Sequence, residues 1–89
     1  MNHYQQQEEE ARARLNELFR KKLEAAKAKG FQRTQVGRRE IVRQVPELSE
    51  AEAVGLALEE LKRNWTLIEP PLKNKAGVFL GAWYTEVSG

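Results

Sequence analysis

No cysteine and no aspartate occur in the 89 residues, and there is a single histidine, His3. Without cysteine, disulfides, thiolate zinc sites and thiol chemistry are all excluded. Small secreted domains commonly lean on disulfides, so a cytoplasmic location is expected. The opening Met1-Asn2-His3-Tyr4-Gln5-Gln6-Gln7 has no apolar stretch and does not read as a secretory signal. No apolar run approaches the roughly 18 residues needed to cross a bilayer, so no membrane partner is expected. A lone histidine supplies neither a converging metal-ligand set nor the base of a triad with Ser49 or Ser88. The glycines stand at 30, 37, 55, 77, 81 and 89, too scattered for a phosphate-cradling GxxxxGK[ST] or GxGxxG loop. Glu59 and Glu60 are adjacent on a charged helix and read as solvated surface rather than as an acid–base pair. Neither an enzyme, a cofactor, a metal nor a small-molecule substrate is expected.

What is present is 40% hydrophobic and 31% charged residues. A chain of this length buries roughly 60–65% of its unfolded surface, enough for one thin core. Net charge is +2, but unevenly placed. Residues 33–45 carry Arg33, Arg38, Arg39 and Arg43 against Glu40 alone, whereas residues 46–64 carry five glutamates against Lys62 and Arg63. A basic stretch is thus followed at once by an acidic one.

Residues 8–29 lack Gly and Pro and are rich in Ala, Leu, Glu, Lys and Arg, which predicts a first helix. Leu15, Leu18, Phe19, Leu23 and Ala26 make its buried stripe. Glu8, Glu9 and Glu10 suit the start of that helix, and Glu8–Arg12, Glu10–Arg14 and Glu17–Lys21 form i,i+4 pairs along it. Gly30 suits the left-handed position beyond its end, with Phe31 expected to pack back. Residues 32–37 leave room for a few strand residues. Arg38–Gln44 predicts a second helix, which Pro46 ends. Ser49-Glu50-Ala51-Glu52 matches a capping box and opens a third helix to about Asn64. Its expected stripe is Val54, Ala57, Leu58 and Leu61, closed by Trp65, with Leu56 exposed. Gly55 either faces solvent or admits another backbone. Residues 66–69 read as a strand stopped by Pro70-Pro71, residues 72–77 as a polar loop, and residues 78–87 as a long strand. On that last strand Val78, Leu80, Ala82 and Tyr84 share one face, and Phe79, Gly81, Trp83, Thr85 and Val87 the other. Trp65, Trp83, Phe79 and Phe31 are expected in the core or covering the sheet; Trp83 and Phe79, if exposed on the open face of the hairpin, would instead be free to stack on bases or on a partner.

This order, with Arg38-Arg39-Glu40-Ile41-Val42-Arg43-Gln44 as second helix and Leu58-Glu59-Glu60-Leu61-Lys62-Arg63-Asn64-Trp65-Thr66-Leu67-Ile68 leaving the third, resembles the winged helix-turn-helix family over roughly residues 12–87. It is weakly similar to the winged-helix segments of phage and plasmid primase–helicase and small regulator proteins. Asn64 departs from the glycine common there. The resemblance implies an α+β fold: three helices, a C-terminal two-stranded β-hairpin wing and an extended first helix. Residues 1–10 would be a flexible segment or helix start, and 11–89 one winged-helix domain.

It also implies a non-catalytic module binding double-stranded DNA, in a small regulator or mobile-element replication protein. In that family the third helix enters the major groove and the wing touches the backbone. Here the first turn of the third helix offers Glu47, Ser49, Glu50 and Glu52, which phosphates repel. The candidate phosphate contacts are therefore Arg33, Arg38, Arg39 and Arg43, with Lys73 and Lys75 in the wing. The acidic start favours an alternative: a winged-helix protein-interaction module within a larger replication or recombination assembly. The projecting end of the first helix is either a solvated arm or a homodimer surface.

Overall fold

A computed structural model describes residues 3–87. Met1, Asn2, Ser88 and Gly89 lie outside the described residues, and with them the outermost part of the 1–10 segment and the candidate nucleophile Ser88. Three helices and a four-stranded antiparallel sheet follow in the order α1 (His3–Ala28), β1 (Thr34–Gly37), α2 (Arg38–Gln44), α3 (Glu50–Asn64), β2 (Trp65–Leu67), β3 (Leu72–Lys73) and β4 (Phe79–Glu86).

Helix α1 starts at His3, so Glu8, Glu9 and Glu10 lie beyond its first turn and do not complement its positive end. Ala11, Leu15, Phe19 and Leu23 are buried at a four-residue spacing. The helix closes as the sequence predicts at its backbone: Gly30 has φ +92°, its N–H bonds the Lys27 carbonyl at 2.9 Å, and the Phe31 N–H bonds the Ala26 carbonyl at 2.9 Å. The Phe31 ring, however, does not pack back; it is 61% exposed.

Helix α2 spans the expected residues, with the Glu40 carboxylate accepting from the Gly37 N–H at 3.0 Å. Ser49 caps α3, its hydroxyl accepting from the Glu52 N–H at 3.2 Å. On α3 the buried arc is wider than the expected stripe. Ala53, Leu56, Ala57, Glu60 and Leu61 are buried, while Val54 and Leu58 are only half-buried. The reason is that α3 packs against both α1 and α2, so residues on either flank of the Ala57–Leu61 line are covered. Leu56 is therefore core, not surface. Gly55 faces open space.

Strand β4 is the hub of the sheet. β1 lies along one edge, from Thr34↔Tyr84 to Gly37↔Gly81. β2 and β3 lie along the other, through Trp65↔Glu86 to Leu67↔Tyr84 and then Leu72↔Gly81. Two corrections to the expected hairpin follow. Pro70-Pro71 interrupts the ladder without ending it, since pairing resumes at Leu72 within the presumed loop. The register then shifts between Leu72 and Lys73, which breaks the alternation on β4. Phe79 thereby joins Ala82 and Tyr84 in the core, and Leu80 is turned out to half exposure.

Phe19, Trp65 and Tyr84 meet edge-on with ring centroids 5.4–6.3 Å apart. The buried Tyr84 hydroxyl donates to the Phe19 carbonyl at 2.8 Å. The largest departure from the sequence reading is Glu60, 3% exposed beneath α1. Its carboxylate accepts from Arg12, Asn16 and Asn64, each at 2.8 Å, and Asn16 in turn accepts from the Trp65 indole N–H at 2.9 Å. No helix among the described residues is long and apolar enough to cross a membrane.

Candidate nucleic-acid interface

Three of the six candidate residues come together. Arg38, Arg39 and Arg43 sit at positions i, i+1 and i+5 of α2 and line, with Val42 and Glu50, a shallow depression of about 210 Å³ between α2 and α3. Helical phase explains this: Ile41 anchors α2 in the core, so residues 39 and 43, four apart, project together from the opposite side. Among the described residues no carboxylate pairs with Arg39 or Arg43. Arg38 is different. Its guanidinium donates to Glu50 at 2.7 Å, tying the start of α2 to the first turn of α3.

Lys73, which ends β3, and Lys75, in the turn joining β3 to β4, are both exposed. That turn is built by Asn74, whose side-chain oxygen accepts from the N–H groups of Ala76 at 2.9 Å and Val78 at 3.0 Å. Gly77, at φ +81°, completes it. The sheet brings these lysines to the same end as the arginines. Gly37 and Leu72 both face Gly81 from opposite edges of β4, which sets them about 10 Å apart by strand spacing. Arg38 follows Gly37 and Lys73 follows Leu72, both continuing toward the start of β4.

Arg33 does not join this group. It precedes β1 at the far end of that strand, about 13 Å from Gly37 at the usual rise. Its guanidinium lies 5.6 Å from the centre of the Trp83 ring.

The acidic first turn of α3 looks different once its partners are seen. Glu50 pairs with Arg38, and Glu47 pairs with Arg14 from α1. The Arg14 hydrogen bond holds the Glu47 carboxyl below the usual carboxylate range. Arg14 also donates to the Gln44 carbonyl, and Gln44 returns a hydrogen bond to the Arg14 carbonyl, both at 3.2 Å. Arg12 likewise leaves the expected Glu8 pairing for Glu59 at 2.7 Å and Glu60 at 2.8 Å. Only the third expected helical partner stays local, and there Glu17 pairs with Arg20 rather than Lys21. Of the acids at the start of α3, Glu52 alone has no basic partner among the described residues; its carboxylate accepts from the Ser49 hydroxyl at 3.2 Å.

No family model matches this chain, and neither a curated protein nor a solved structure matches it.

Proposed function

We propose that the chain is a winged helix-turn-helix module that binds duplex DNA without catalysis, using α2 and the β3–β4 turn as its basic surface. The element order and the sheet support the family reading: β1 precedes the α2–α3 pair, and β2 to β4 form an extended hairpin closed by the Lys73–Lys75 turn. The observation that carries the DNA reading is the depression where Arg39 and Arg43 lie together with no carboxylate paired to either among the described residues, with the start of α2 and the β3–β4 turn at the same end of the sheet. Internal pairing of Glu47 and Glu50 relieves the repulsion that the sequence alone suggests. Contacts of this kind grip phosphates and carry little sequence information.

Replacing Arg39 and Arg43 together by alanine is the direct test. Binding to unrelated duplexes is expected to weaken about equally, with the salt slope reduced by about one for each lost phosphate contact. Unchanged binding in that variant would move the interface elsewhere. A protein-interaction role has one observation in its favour: the exposed side of α3 presents Glu52 and Glu59 with the small Ala51 and Gly55, and no basic residue before Lys62.

A further inference from the structure

Strand β1 is an edge strand, and its outer side has no strand partner among the described residues. The ladder shows which backbone groups face outward. The Ile68 N–H bonds the Trp83 carbonyl at 3.1 Å, so the polar backbone groups of Trp83 point to the β2 side of β4. In an antiparallel ladder the neighbouring residues Ala82 and Tyr84 then bond β1, through Val36 and Thr34. Gln35 lies between those two, so its N–H and C=O point away from β4 to the free edge. Gly37, two residues on, confirms the direction, because its N–H reaches outward to Glu40 at 3.0 Å.

Beside this edge runs a groove of about 570 Å³ between β1 and the last turns of α1. Ala25, Ala26 and the exposed Phe31 ring form its apolar part, and Lys22, Lys29 and Arg33 its charged part, with no carboxylate in the lining. Lys22 is engaged by Glu40 at 2.6 Å; Lys29 and Arg33 make no ion pair among the described residues. From Lys22 to Lys29 the helix rises about 10 Å, the length of three extended residues.

We propose that this groove binds an extended acidic peptide as an added strand on β1. A peptide offers the alternating N–H and C=O groups that the Gln35 edge can pair with, which a nucleic acid does not. Successive side chains of an added strand point to opposite faces. Apolar residues would lie toward Ala25, Ala26 and Phe31, and acidic residues toward Arg33 and Trp83. The exposed Phe31 and the cations of the rim thereby acquire one common partner. The groove shares no lining residue with the depression that holds Arg39 and Arg43, so the proposal does not rest on the DNA reading.

The test is an NMR titration of the labelled full chain with three probes: acetyl-Val-Glu-Val-Glu-Val-amide, its lysine counterpart, and oligothymidylate. The glutamate peptide is expected to shift the Arg33 and Gln35 amides and to slow exchange of the Gln35 amide, while the lysine peptide does neither. Gln35→Pro removes the outward donor and leaves the β1–β4 ladder intact, as proline on an edge strand permits. It is expected to weaken the peptide about tenfold. Lys29→Glu with Arg33→Glu is expected to reverse the preference toward the lysine peptide, an outcome that misfolding cannot mimic. The Arg39→Ala/Arg43→Ala variant is expected to bind the peptide as wild type does, whatever becomes of its DNA binding. Absence of shifts at millimolar glutamate peptide, shifts confined to other surfaces, or groove shifts with oligothymidylate in place of the peptide would overturn the proposal.

Discussion

Glu60 shows how far a single residue's environment departs from its sequence neighbourhood. Beside Glu59 on a charged helix it reads as solvent-facing, yet it falls in line with Ala53, Leu56 and Ala57 on the buried arc. A polar residue standing three and four positions beyond apolar ones was the available signal, and it required knowing which way α3 turns. Burial acts to raise its pKa, but the hydrogen bonds of Asn16 and Arg12 and the charges of Arg12 and Arg63 outweigh it, leaving the carboxyl below the ordinary glutamate range. A carboxyl with a lowered folded pKa stabilises the fold above its unfolded value, and that contribution disappears as pH falls through the folded value. Wild-type stability is therefore expected to decline as pH drops below about 4.3. Glu60→Gln is expected to cost about 1–3 kcal/mol at neutral pH, since it removes the charged acceptor from Arg12 and leaves an amide poorly matched to three donors. It should also flatten part of the acid limb; the exposed Glu17 and Glu47, held low by Arg20 and Arg14, add only a solvent-screened share. Urea melts of both proteins across pH 3–7 (roughly the carboxylate range) check this, and superimposable pH profiles would deny Glu60 its role.

At the scale of elements, the three helices were legible because local physics specifies them. Periodicity, the Gly30 end, the Ser49 cap and Pro46 all act within a few residues of where they stand. The sheet was less legible. A two-residue strand after Pro70-Pro71 and a register shift against β4 arise from pairing between distant segments, which no local pattern announces. The same limit applies to α3, whose burial depends on having α1 and α2 on its two sides. Leu61 is fully buried and Leu58 half-buried, so Leu61→Ala is expected to cost about 2–5 kcal/mol and Leu58→Ala clearly less. Thermal melts giving the reverse order would show α3 rotated from its described position. Gly55 sits mid-helix, where a methyl side chain would meet nothing within 4 Å. Gly55→Ala is accordingly expected to stabilise by up to about 1 kcal/mol, and a loss of stability would indicate a close neighbour on that side.

For the molecule as a whole, a net charge of +2 matters less than where the compensated and uncompensated charges lie. Counting residues along the chain sets a basic 33–45 against an acidic 46–64. Folding rearranges that contrast, because Arg14, Arg38 and Arg12 leave their local surroundings to pair with Glu47, Glu50, Glu59 and Glu60. Of the candidate phosphate contacts, Arg39, Arg43, Lys73 and Lys75 make no ion pair among the described residues, and the strand register sets the start of α2 and the β3–β4 turn at one end of the sheet. Arg38 is committed to Glu50, and Arg33 belongs to a different surface. These tertiary pairings are what composition could not reveal. They bear on one measurement above all: fluorescence anisotropy of the full chain on unrelated duplexes over a range of salt concentrations. Four phosphate contacts give a slope of log K against log salt of about −3.6, similar for every duplex. Absence of binding at low salt, or binding that salt leaves unchanged, would contradict a DNA-binding winged helix.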